Sequence, residues 1–167
     1  MSLAAPRIAP IALHAHEGET RWFLGTLATI KASAASTGGR VTVIEQLAAR
    51  GAATPLHVHR HEDEWLYVTG GAVTFWVEGQ GAVQATAGAF LYGPRGVPHT
   101  FEVTSEIARF LVAAEPGGLE DFVRAVSVPA VDRTLPPGSV QMPRLRDIAA
   151  AAGDYGIDIL GPPGIPR

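Results

Sequence analysis

The 167 residues contain no cysteine and a single lysine, Lys31. Without thiols there can be no disulfide and no thiolate site, so any metal must be held by histidine and carboxylate side chains. With no cluster of Lys and Arg and a net charge of −3, the chain lacks the footprint of a nucleic-acid-binding protein. Charged residues are scarce, at 17% against about 25% in ordinary globular chains. Disorder is not the explanation, because 47% of the residues are apolar and the net charge is small. No run of 18 apolar residues is present to span a bilayer. The stretch from Met1 to Leu13 carries Arg7 and two prolines and lacks the charged-then-apolar order of an export signal. A cytoplasmic location is the expectation.

Glycine and proline are abundant, at 19 and 13 residues. So many breakers exclude a helical bundle and leave a compact domain with many turns. At this length one domain is expected, large enough to remove roughly 70% of the unfolded surface from water. Its divisions are N-terminal strands over 1–40, a barrel core over 41–114 and a C-terminal helical extension with a tail over 115–167.

Short strand-like runs fill the region from Arg21 to Glu115. Arg21–Leu24 and Leu27–Lys31 come first, followed by a blurred Ala/Ser run and a tight hairpin at Gly38-Gly39. Val41–Leu47 is rich in β-branched residues. Glu64–Thr69 and Ala72–Val77, joined by Gly70-Gly71, read as the clearest hairpin. Val83–Thr86, Phe90–Tyr92, His99–Val103 and Ile107–Ala114 complete the series. Strands at this spacing, with glycine turns, predict an all-β sandwich or barrel. Beyond it, Leu119, Phe122, Val123 and Val126 recur at helical spacing, and Met142–Ala152 reads as a second short helix. The tail from Gly161 is expected to lack regular structure.

The chemistry lies in Gly51-Ala-Ala-Thr-Pro-Leu-His57-Val-His59-Arg-His-Glu-Asp-Glu64. Alternate residues of a strand share a face, so His57 and His59 can reach one ion. A polar turn, Arg60 to Asp63, returns Glu64 on the next strand. His99 follows a turn framed by Pro94 and Gly96 and supplies a third imidazole. Three nitrogens and one oxygen suit a divalent first-row ion: Fe, Mn, Ni or Co, with Zn a further candidate. An isolated His-x-His is usually a surface strand; the coincidence of all four groups with their Gly/Pro frames argues for a site. His61 is expected to be solvated in the turn, and His14 and His16 to be exposed.

These residues resemble the motifs of the cupins, small β-barrels of the double-stranded β-helix, or jelly-roll, type. The first motif, G-x5-H-x-H-x3,4-E-x6-G, is matched by Gly51, His57, His59, Glu64 and Gly71. Of the second, G-x5-P-x-G-x2-H-x3-N, the chain has Gly88, Pro94, Gly96 and His99, with Val103 in place of the asparagine. Thr54 to Val68, Glu115 to Phe122 and Asp154 to Ile157 are similar in style to a bacterial quercetin-2,3-dioxygenase-like group. The resemblance implies an all-β cupin barrel with short C-terminal helices and a metal-dependent dioxygenase that cleaves a small aromatic or enolic substrate. Other cupin chemistries remain open: isomerase, decarboxylase, C–C hydrolase, or a non-catalytic small-molecule-binding protein.

On this reading Glu64 is either a permanent ligand or a general base, its pKa raised by an apolar barrel and opposed by the neighbouring cation. Strand parity places Leu66 and Val68 with Glu64, and Phe101 and Val103 with His99, as a substrate pocket completed by Phe75 and Val77. Trp65, Tyr67 and Trp76 fall on the opposite strand faces, to pack on the N-terminal strands or on a second subunit. The expected partners are a small-molecule substrate and a second copy in a homodimer, with no nucleic acid and no membrane.

Overall fold

The computed structural model describes residues 8–167. Residues 1–7, where the reading for an export signal begins, lie outside them. In chain order the elements are β1 Glu19–Phe23, β2 Thr26–Ala32, α1 Ala34–Thr37, β3 Thr42–Ala49, β4 Pro55–His59 and β5 Asp63–Gly70. They continue with β6 Ala72–Val77, β7 Gly81–Thr86, β8 Phe90–Gly93, β9 His99–Val103 and β10 Ile107–Glu115. Helix α2 Leu119–Ala125, β11 Val128–Pro129, α3 Leu145–Ala152 and β12 Ile157–Pro163 complete the chain, with a single 3-10 turn at Gly153–Tyr155 before β12.

Two antiparallel sheets face each other. One has the order β11-β1-β2-β3-β10-β5-β8, the other β12-β4-β9-β6-β7. From β3 to β10 the chain changes sheet at every connection except the β6–β7 hairpin. This is the jelly-roll barrel that the motifs led us to expect. Between the sheets the inward residues of each strand make one core; Ile44, Val68, Val73, Val103 and Phe110 are each at most 1% exposed. Burial alternates cleanly along β3, as a strand with one wet face requires.

Three readings of the sequence need correction. Gly70-Gly71 does not close a hairpin, because β5 and β6 belong to different sheets. It is a corner between sheets, where Gly71 has φ +75° and a Cβ would lie 2.2 Å from Ile107 O. Gly38-Gly39 is not a tight hairpin turn either. Strands β2 and β3 do pair, but the blurred Ala/Ser run folds into α1, with Ser33 and Ser36 capping each other's backbone N–H groups and Gly38 ending the helix at φ +65°. Finally, the tail is partly regular: β12 runs through Gly161 to Pro163 and pairs with β4, Ile159 opposite His57. Its prolines are tolerated because β12 is an edge strand.

The C-terminal helices pack over one end of the barrel rather than apart from it. Glu120 of α2 is 1% exposed, accepts a hydrogen bond from Ala34 N at 2.6 Å and is bonded to the Thr42 hydroxyl. One buried carboxylate therefore ties α2 to α1 and β3. Trp65, Tyr67 and Trp76 lie on outward faces away from β1 and β2; Trp65 pairs with Tyr92 and its ring is 6.0 Å from that of Phe90.

Candidate metal centre

The four residues singled out from the sequence come together from two sheets. His57 and His59 share the inner face of β4, His57 sits opposite His99 of β9, and Glu64 reaches across from β5. One ligand atom from each lies within 4.8 Å of every other. Glu64 Oε2 is the meeting point, 3.0 Å from His59 Nε2, 2.9 Å from His99 Nε2 and 3.8 Å from His57 Nε2.

All three rings are turned the same way by their outer nitrogens. His57 Nδ1 faces Pro55 O at 2.8 Å, His99 Nδ1 faces Val97 O at 2.9 Å, and His59 Nδ1 faces Glu62 Oε2 at 2.9 Å. Each acceptor holds a proton on Nδ1, so Nε2 of every ring faces the common centre, where it would offer its lone pair to a bound ion. Three ring nitrogens and a carboxylate at such distances call for positive charge among them, supplied by protons on Nε2 or by a bound ion. Two ligand atoms about 2.1 Å from one ion at right angles are about 3.0 Å apart, the separation that Glu64 keeps from His59 and His99. The donor set and its spacing fit a divalent first-row ion.

Charge within the cluster follows the same geometry. Burial alone would push the Glu64 carboxyl up, but hydrogen bonds from His57, His59 and His99 and the charge of His59 outweigh it and hold the group well below the usual carboxylate range. The upward shift expected of a carboxylate in an apolar barrel is thereby reversed. Burial lowers the His57 imidazole below its ordinary value, against the pull of Glu64. For His59 burial also opposes the charge, yet Glu62 and Glu64 together raise it to about 9.

Two functional positions escaped the sequence reading. Glu62 falls within the polar turn read from Arg60 to Asp63 with no role assigned to it, but it is 8% exposed and grips His59 from behind. Its offset of three from His59 is the only sequence signal it carries. Gly93 sits opposite Glu64 in the β5–β8 pairing, and a Cβ there would come within 3.1 Å of His99 Nδ1. His61, by contrast, is exposed outside the cluster, as are His14 and His16.

A narrow apolar cavity of about 50 Å³ opens beside His57, His59 and Glu64. Of the six pocket residues named from parity, Phe101 lines it. Leu66, Val68, Phe75 and Val103 are buried in the core instead, and Val77 is half-buried by a separate hollow shared with Phe75. Parity identified the inward face, but a small barrel fills that face with its own side chains. The cavity walls come largely from elsewhere: Leu24 in the β1–β2 turn, Gln46 on β3, Phe122 on α2, Ile148 on α3 and Ile157 on β12.

Residues 43–114 match the family model described as "Cupin domain". That stretch is a cupin domain. The chain is also similar to the quercetin 2,3-dioxygenase of Bacillus subtilis (strain 168), 27% identical over 146 residues. This match takes in 86% of the chain but only 43% of the relative's length. Two solved structures share the fold. A predicted oxalate decarboxylase from Thermotoga maritima has a TM-score of 0.58 at 19% identity, over 64% of this chain and 99% of that one. An RmlC-like cupin from Shewanella frigidimarina has a TM-score of 0.57 at 20% identity, over 66% and 94%. The segments outside the cupin match supply strands β1, β2 and β12 and the helices that roof the cavity. No helix among the described residues is long and apolar enough to cross a membrane.

Proposed function

We propose that this cupin is a metal-dependent dioxygenase acting on a small aromatic or enolic substrate. The observation that carries the reading is the convergence of His57, His59, His99 and Glu64 on one point beside an apolar cavity. Similarity to a quercetin 2,3-dioxygenase supports the reaction class.

His57, His59, His99 and Glu64 would hold the ion, Fe, Mn, Ni or Co, with Zn as a further candidate. When bound it would supply a Lewis-acidic site for a substrate enolate or phenolate and for dioxygen. Pro55 O, Val97 O and Glu62 keep the imidazole Nε2 atoms facing inward. Phe101, Ile148 and Phe122 present an apolar wall that excludes water from an aromatic ring. Glu64, held ionised, has the charge of a ligand and the lone pairs of a proton acceptor, without a proton to donate. Outside the barrel, exposed Tyr67, Phe90 and Tyr92 support a homodimer through this outer face.

Oxygen uptake by metal-loaded protein with a panel of flavonols and smaller enols tests the reaction. Uptake that depends on the metal is the expected result; substrate conversion without uptake would replace it by an isomerase, decarboxylase or hydrolase. Glu64→Gln separates the two roles of that residue. Loss of activity far beyond loss of metal marks a base, whereas parallel losses mark a ligand only.

A further inference from the structure

The hollow beside Val77 shares no lining residue with the metal-side cavity. It holds about 220 Å³, against about 50 Å³ on the metal side. It lies where the barrel is left open. Strand β7 ends one sheet and β8 ends the other, so no strand closes the gap between them. Phe75 and Val77 of β6, Val83 of β7 and Leu91 of β8 wall the hollow, and the exposed Gln80 and Tyr92 stand at its mouth. Phe75 pairs with Val83 across the β6–β7 ladder and is itself 7% exposed. Its ring centroid lies 5.9 Å from that of His99, with the planes 28° apart. One side chain therefore stands between this hollow and a residue of the metal centre.

Size and walls select the occupant. An apolar cavity of about 150 Å³ takes up benzene, so this one has room for a ring with one small substituent. No Lys, Arg, Asp or Glu lines it. A charged ligand would lose its water there without gaining a counter-charge. Three of the seven lining side chains are aromatic, and aromatic pairs gain from edge and offset contacts beyond the area they bury. Water finds few partners among Val77, Val83 and Leu91, and an apolar ring that displaces loosely held water gains affinity. Exposed Gln80 gives the mouth a polar side, where a hydroxyl substituent stays wet.

We propose that the hollow between β7 and β8 is a second ligand site, for a neutral monocyclic aromatic molecule, distinct from the metal-side cavity. The ring lies among Phe75, Val83 and Leu91, with its substituent towards Gln80 and the solvent. The site goes beyond the proposed function and rests on neither the metal nor the dioxygenase reading.

The test titrates phenol into the zinc-loaded, full-length protein and follows the methyl groups of Val, Leu and Ile by NMR. Binding should saturate with a Kd of about 1 mM. Ring-current shifts should fall on Val77, Val83 and Leu91, with Ile148 and Ile157 of the metal-side cavity unmoved. Cyclohexanol, of similar size but without a π face, should bind at least about threefold more weakly. Val83→Phe fills the hollow and should weaken phenol at least about tenfold at unchanged zinc content. Leu91→Phe, on the facing sheet, is the second filler, and either variant decides if it keeps the wild-type melting temperature within a few degrees. Shifts on Ile148 and Ile157 instead would seat the ring in the metal-side cavity and overturn the proposal. So would a folded filler variant that binds phenol as the wild type does, or the absence of saturation well beyond the expected Kd. Equal affinity for cyclohexanol would remove the aromatic class. Oxygen uptake on enols bears on none of these outcomes, so this site and the dioxygenase reading stand or fall separately.

Discussion

The two ends of the cavity are built on different terms. At the metal end three imidazoles and two carboxylates touch one another and backbone carbonyls, each ring fixed through Nδ1 by its own acceptor. At the roofed end Leu24, Phe122 and Ile148, from three separate segments, meet through apolar contact. Phe122 crosses the Phe23 ring edge-on at 6.0 Å, and its other neighbour is Tyr155 at 5.8 Å. The first end depends on direction, the second on volume. Damage at the metal end should therefore appear in affinity with the fold kept, and damage at the roof in stability with the metal kept.

His99→Ala should show the largest effect and the sharpest split. It removes one of four ligands, and metal retention should fall by more than about a hundredfold, checked by metal analysis after dialysis. The barrel itself should remain folded by circular dichroism. At the opposite end, Phe122→Ala empties a buried aromatic site and should cost about 3–5 kcal/mol in a denaturant titration. Its metal stoichiometry should match the wild type; a matching loss of metal would break the division drawn above.

Glu62→Gln probes the grip on His59. Metal affinity should drop about 10- to 100-fold with little change in the melting temperature of the loaded protein. The pH dependence has a definite sign. Raised to about 9, His59 carries a proton at neutral pH that a metal must displace. Affinity should therefore rise with pH by roughly tenfold per unit until about pH 9, and calorimetry in buffers of different ionisation heat should detect the released proton. In the metal-free protein the charge on His59 stabilises the fold fully below pH 6.5, and that contribution is lost as pH rises through about 9. Both trends should weaken in Glu62→Gln. The smallest effect belongs to the outer face, where Phe90 is 61% exposed. Phe90→Ser should change monomer stability by no more than about 0.5 kcal/mol and leave the metal untouched, while size-exclusion chromatography reads out the proposed dimer.

Legibility followed the same division. His57, His59, Glu64 and His99 could be picked out because strand alternation and fixed glycine and proline turns constrain them locally. Glu62 could not, since a glutamate in a polar turn looks solvated until the imidazole behind it is placed. Most strands were found within a residue or two, yet the β5–β6 pair was misread, because Gly70-Gly71 serves a hairpin and a corner between sheets equally well. The pocket residues were chosen from the correct face but mostly from the wrong part of it. Leu66 and Val103 face inward as expected and are used up in packing, while Leu24, Gln46 and Ile148 lay in segments with no motif to connect them to the site.

Sequence by itself determined the kinds of group available and their alternation: nitrogen and oxygen donors without sulfur, on strands whose inward faces are apolar. Local geometry is enough for that, since a strand repeats every second residue whatever its neighbours are. Tertiary structure alone decided which strands lie side by side, which carboxylate holds His59, and which distant segments enclose the cavity. Those choices depend on contacts between residues far apart in the chain, where packing in three dimensions, rather than spacing along the backbone, sets the distance.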